Sequence, residues 1–187
     1  MTLGVHQAAI LAGGASARMG QDKATLPLAH VPMIEWVEAA ARNAGYQTTR
    51  VERDIGGNRG PLSGLLTVFE SYPWDSFLAL SCDMPLIPST WLRTLGEETL
   101  DETRWGVFTK ESRWVGFPFT IHRSAVTTLR ECLDSNRATL QSLRRCGRFI
   151  DRVPPSKSSP LFRNVNTVDD WKLIEEFVRQ SGTRPAA

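Results

Sequence analysis

The chain is poor in the features that mark several large protein classes. No apolar stretch in its 187 residues comes near the roughly 20 needed to span a bilayer, so no membrane partner is expected. The opening Met1-Thr-Leu-Gly-Val-His-Gln7 lacks the basic start and long apolar centre of a signal peptide. A net charge of +2 is too small an excess for a nucleic-acid partner. Cys82, Cys132 and Cys146 are odd in number and far apart, with no C-x-x-C pair. They read as reduced thiols, which together with the missing leader predicts a cytoplasmic protein. His6, His30 and His122 are scattered, without ligand or catalytic spacing. No internal repeat is present. Two common phosphate loops are also missing. No G-x-x-x-x-G-K-[ST] occurs, because Ala24 follows Lys23, and the first glycines are adjacent, which breaks G-x-G-x-x-G.

What remains is an ordinary globular composition, 41% hydrophobic and 22% charged, long enough for a real core. One domain is expected over residues 1–180, with residues 181–187 as a flexible tail. Apolar runs predict strands over Ala8–Leu11, Thr48–Glu52, Phe77–Leu80, Trp105–Thr109, Trp114–Ile121 and Phe149–Val153. A turn is expected at Lys110-Glu-Ser112. Helical spacing predicts Met33–Asn43, Leu62–Ser71, Pro88–Glu97 (with Ser89 as its cap), Ser124–Leu133, Ala138–Arg145 and Val168–Val178. Alternation of this kind implies a three-layer, Rossmann-like α/β/α fold with a mostly parallel sheet, whose ligands bind beyond the carboxyl ends of the strands.

The most informative segment follows the first strand: Ile10-Leu-Ala-Gly-Gly-Ala-Ser-Ala-Arg-Met-Gly-Gln-Asp-Lys23. Strand followed by glycine loop is how α/β proteins bring backbone N–H groups against phosphate. Gly13 and Gly14 have no Cβ and permit a tight turn close to a ligand. Arg18 and Lys23 supply a guanidinium fork and a point charge for the phosphate chain. The alternative is a glycine-rich turn with surface charges.

This pattern, L-A-G-G-x-S-x-R-M-G-x-D-K, resembles the signature of nucleotidyltransferases that activate a phosphorylated metabolite with a nucleoside triphosphate. The paired glycines and Asp22-Lys23 look most like the molybdenum cofactor guanylyltransferases. Three more motifs follow in that family's order. Cys82-Asp-Met-Pro-Leu-Ile-Pro88 resembles its C-D-x-P segment, whose aspartate is the Mg²⁺ ligand. Asp83 at the end of a buried strand suits that role, since Mg²⁺ favours one or two carboxylates plus phosphate oxygens. Otherwise Asp83 is a cap for the helix near Pro88. Gly60-Pro-Leu-Ser-Gly64 resembles the G-P-L-[AS]-G motif beside the nucleotide. Asn164-Val-Asn-Thr167, before Val168-Asp-Asp-Trp171, resembles the N-V-N-T-P-E-[ED]-L ending. There Asn166 would give an oxygen near the metal and Asn164 would orient the acceptor. Thr167 would cap the last helix, with Asp170 completing a capping box.

The resemblance spans Ile10 to Trp171. It implies Mg²⁺-dependent transfer of GMP from GTP to molybdopterin or molybdenum cofactor, with release of pyrophosphate. Arg18, Lys23 and Asp83 would be catalytic. Leu11, Ala12, Gly13, Gly14, Lys23, Asp54, Gly60, Asn164 and Asn166 would bind the nucleotide and acceptor. Other molybdenum cofactor-handling proteins are possible partners. Asp54 stands where the family has an Asp near the ribose or base; it also reads as an exposed turn residue. Two departures bear on specificity. The segment between Asn43 and Gly60 is short, with one strand fewer than the family's pattern and no clear base-contacting Asn. Gly116-Phe-Pro-Phe119 replaces a His-Pro acceptor segment, so Phe117 and Phe119 either stack on a pterin or fill the core. Arg137, Arg144, Arg145 and Arg148 form a basic group suited to an acceptor phosphate or to solvent. A cytidylyltransferase, another phosphorylated acceptor and a non-catalytic nucleotide-binding relative stay open.

Overall fold

The computed structural model describes residues 5–13, 23–52, 59–111, 114–135, 138–154 and 160–185, without the side chains of Lys23, Glu111, Trp114 and Val115. In chain order the strands are β1 (Gln7–Leu11), β2 (Pro27–Leu28), β3 (Val31–Pro32), β4 (Gln47–Val51), β5 (Ser76–Ser81), β6 (Gly106–Glu111), β7 (Trp114–His122) and β8 (Phe149–Arg152). The helices are α1 (Met33–Asn43), α2 (Pro61–Ser71), α3 (Ser89–Gly96), α4 (Val126–Asp134), α5 (Leu140–Cys146) and α6 (Val168–Ser181).

Ala8, Ala9 and Ile10 of β1 are wholly buried, as a strand in the middle of a two-sided sheet must be. The six-stranded sheet runs β4-β1-β5-β7-β6-β8. Within it β4, β1 and β5 are parallel, β7 is antiparallel to both neighbours, and β8 is parallel to β6. One reversed strand in six makes the sheet mostly parallel, as expected.

Alternate side chains build the two outer layers. Ala8, Ile10, Leu78, Leu80 and Val107 pack with Ile34 and Val37 of α1 and Trp91, Leu92 and Leu95 of α3. Ala9, Phe77, Ala79, Phe108 and Phe119 pack on the other face with Leu62, Leu65 and Phe69 of α2, Leu129 of α4 and Leu143 of α5. A third cluster lies outside the sheet, where Ile174 and Val178 of α6 cover Leu28, Met33 and Trp36.

Element types agree with the sequence; several ends differ for local reasons. Ser89 is not a cap: α3 begins at Ser89, and Pro88, extended at ψ 131°, precedes it without a side-chain bond. Lys110 and Glu111 belong to β6, paired with Val115 and Trp114, rather than to a turn. The segment expected as one helix from Ser124 opens with a tight turn, Arg123–Ala125, before α4. The small β2–β3 hairpin is new. Its turn residues, Ala29 (φ 47°) and His30 (φ 68°), are not the Asn-Gly or Asp-Gly pair that advertises such a turn. Tertiary packing holds it: Leu28 is fully buried, and its carbonyl accepts from Trp36 Nε1 at 3.1 Å.

Candidate active site

Register decides where the loops meet. Leu11 lies opposite Val51 on one side and Ser81 on the other, so β1, β4 and β5 end level along one edge. Hydrogen bonding continues past the strands. Ala12 N and Gly13 N both donate to the Val51 carbonyl, at 2.9 and 3.1 Å, and Cys82 N donates to the Leu11 carbonyl at 3.4 Å. The glycine loop and the Asp83 loop therefore leave the sheet side by side.

Helix α2 starts at the same edge, because it follows β4 and returns the chain to the start of β5. Gly60 precedes it with φ +81°, a left-handed conformation suited to glycine. Pro61 occupies the first turn, where its missing N–H costs nothing. The first turn contains no acidic side chain. The positive end of the helix macrodipole is thus uncompensated there by a carboxylate of its own.

Asp83 sits in the turn beyond β5, partly buried. Its Oδ1 accepts from Ser81 Oγ at 2.6 Å, and its carbonyl accepts from Val165 N at 2.8 Å. The second bond ties the Asn164–Asn166 segment to the Asp83 loop. Asn166 N donates to Asp170 Oδ2 at 3.2 Å, and Thr167 and Asp170 form the expected capping box at the head of α6. Burial pushes the Asp170 carboxyl up, but bonds from Thr167 and Asn166, with Arg163 beside it, bring it below its ordinary value. This ionised carboxylate anchors the backbone of Asn166 and Thr167. Asn164 Oδ1 is buried and, among the described residues, has no hydrogen-bond partner.

The backbone of Lys23 opens a one-turn helix, Lys23–Thr25. Its neighbour Ala24 is buried in the cluster that includes Cys82 and Met84, the residues flanking Asp83. The side chain of Lys23, and Gly14, Arg18, Asp54 and Arg137, lie outside the described residues. Leu11, Ala12, Gly13, Gly60, Asp83, Asn164 and Asn166 come together at one edge. Two details go against expectation. The capping alternative for Asp83 fails, since α3 has no side-chain cap. The amides of Ala12 and Gly13, expected to bind the nucleotide, are instead committed to the Val51 carbonyl. Ser81 was missed; a serine ending an apolar strand has no sequence signature.

Two members of the basic group are engaged within the protein. Arg144 Nε binds Asp151 Oδ1 at 2.8 Å, and Arg148 donates to the Glu102 carbonyl while lying over the Trp105 ring. Phe119 is core, stacked on Phe108 with centroids 4.4 Å apart, and Phe117 packs against it at 5.1 Å. Phe119 therefore takes the core alternative, while Phe117 is only partly buried.

A glycine pair just past β1, a strand-end acid and an open helix N-terminus on the carboxyl edge of a mostly parallel sheet are the arrangement of nucleotide-handling α/β proteins. Residues 8–153 match the MobA-like NTP transferase domain. The chain is 31% identical over 183 residues to the molybdenum cofactor guanylyltransferase of Xanthomonas euvesicatoria pv. vesicatoria, covering 89% of this chain and 93% of that one. It is 25% identical over 190 residues to the enzyme of the same name from Shewanella halifaxensis, covering 91% and 94%. The crystal structure of molybdopterin-guanine dinucleotide biosynthesis protein A from Archaeoglobus fulgidus superposes with a TM-score of 0.67 at 16% identity, covering 93% of this chain and 99% of that one. The chain belongs to the MobA-like NTP transferase family and is a nucleotidyltransferase. Among the described residues, no helix is long and apolar enough to cross a membrane.

Proposed function

We propose that this enzyme transfers GMP from GTP to the terminal phosphate of molybdopterin or molybdenum cofactor, releasing pyrophosphate. The observation behind this reading is the meeting of Gly13, Gly60, Asp83 and the Asn164–Asn166 segment at one strand edge, in a chain whose full-length relatives are guanylyltransferases. The acceptor phosphate is already anionic, so no protein nucleophile or general base is required. Catalysis is positioning plus neutralisation of charge. The glycine loop from Gly14 onward, with Arg18 and Lys23, holds the triphosphate. The carbonyls of Ala12 and Gly13, with Asp54, are acceptors of the kind guanine N1–H and N2–H₂ need. Asn164 offers its buried oxygen to a donor on the ligand.

The residues fit Mg²⁺. Among the described residues, no three His, Cys, Asp or Glu side chains cluster as a metal cage. Mg²⁺ does not need one, since a carboxylate or two with phosphate oxygens and water complete its shell. Asp83 is that carboxylate, with Asn166 close by. When bound, the ion polarises the α-phosphate and neutralises the leaving pyrophosphate.

Calorimetric titration of GTP, ATP and CTP in Mg²⁺ tests the reading. GTP should bind tightest, with a modest margin because the base-side segment between Asn43 and Gly60 is short. Tighter binding of CTP would contradict guanylyl transfer; no binding of any nucleotide would contradict catalysis altogether.

A further inference from the structure

We infer that Ser81 is the positioning residue of the metal-binding carboxylate, an inference that rests on Asp83 being the Mg²⁺ ligand. Ser81 Oγ donates to Asp83 Oδ1 at 2.6 Å, the length of a hydrogen bond strengthened by an ionised acceptor. This bond is not needed to make the turn. Met84 N already closes it onto the Ser81 carbonyl at 3.4 Å, and Val165 N fixes the Asp83 carbonyl. With the backbone held by those two bonds, the hydroxyl acts on the side chain, limiting its rotation. A carboxylate has about four lone-pair directions, and Ser81 uses one of them on Oδ1. A neutral donor orients the group and leaves its charge in place. A lysine or arginine at this position would cancel the charge a cation needs.

Ser81 is well supported for this role. It is the last residue of β5, opposite Leu11, and strand alternation puts it on the face of Phe77 and Ala79, the side covered by α2. It therefore ends the strand on the face that α2 covers. Loss of a hydrogen-bond partner behind a metal ligand typically weakens metal binding by about ten- to a hundredfold.

The test compares Ser81→Thr with Ser81→Val, which share a shape and differ by the hydroxyl, alongside Asp83→Asn. Free Mn²⁺ is measured by electron paramagnetic resonance as it is titrated into enzyme and GTP without acceptor. Wild type and Ser81→Thr should bind alike. Ser81→Val should bind about ten- to a hundredfold more weakly, with an unchanged thermal melt. In turnover assays its requirement for Mg²⁺ should rise while kcat at saturating metal stays near wild type. Equal Mn²⁺ binding by Ser81→Val and wild type, with Asp83→Asn defective, would overturn the role of Ser81 alone. Weak binding by Ser81→Thr would do the same. Unimpaired binding by Asp83→Asn would overturn the metal-ligand reading, and the inference with it.

Discussion

In the proposed mechanism Asp83 and Lys23 make opposite electrostatic contributions and are separable by substitution. There Lys23 gives positive charge to the triphosphate, and its removal would deprive the transition state of a stabilising donor. Lys23→Ala should lower turnover by about a hundredfold or more. Asp83→Asn should fold normally and lose most transfer activity, with partial recovery at high Mg²⁺. Steady-state rates against Mg²⁺ concentration check both; wild-type turnover in either variant would remove that residue from the mechanism. Asp83 was legible in the sequence because the acid follows an apolar run and precedes two prolines. The commitment of the Ala12 and Gly13 amides to Val51 was not legible. It depends on β4 lying beside β1, a contact made 40 residues along the chain. The Ser81–Asp83 bond was hidden for a similar reason, since it is a matter of rotamer and distance.

Strands and helices were readable because their burial follows simple periods. The centres of β1 and β5 are unbroken apolar runs covered on both faces, and α1 spans the expected residues. The missed hairpin is two residues a side and depends on Leu28 reaching the cluster under α6. Caps at α3 were misassigned because Pro88 ends the extended segment without any side-chain bond. Close contact between elements gives a stability prediction. A Cβ on Gly106, at the start of β6, would lie 2.1 Å from the Thr120 carbonyl of β7. That neighbour is backbone and paired, so relief requires the strands to separate. Gly106→Ala should cost about 3 kcal/mol, as overpacking of a tight interior does. Urea unfolding reads it as a lower midpoint; an unchanged midpoint would mean that the β6–β7 spacing adapts freely.

Across the whole molecule, acid sensitivity follows from the ion pairs of Asp151 and Glu38. Asp151 is held below its ordinary value by the Arg144 guanidinium, despite partial burial, with Lys110 also near. Burial raises Glu38, but Arg50, Arg42 and Thr48 more than compensate and lower it. A depressed folded pKa stabilises fully above the unfolded value, about 4, and the contribution fades as pH falls through the folded value. The melting temperature should therefore be flat between about pH 5 and 7 with respect to these groups and drop below about 4. Asp151→Asn should melt lower at pH 7 and show a shallower acid decline; an unaltered acid profile would show that this pair has no share in it. Sequence could place these charges on elements, but the Arg144–Asp151 pair depends on how the chain turns between α5 and β8.

Pyrophosphate release reads the proposed transfer itself. Purified enzyme with molybdopterin and Mg²⁺ should release pyrophosphate with GTP, form the guanine dinucleotide product, and stay silent when either substrate is omitted. Release with CTP in preference to GTP, or none with molybdopterin under any nucleotide, would contradict the account.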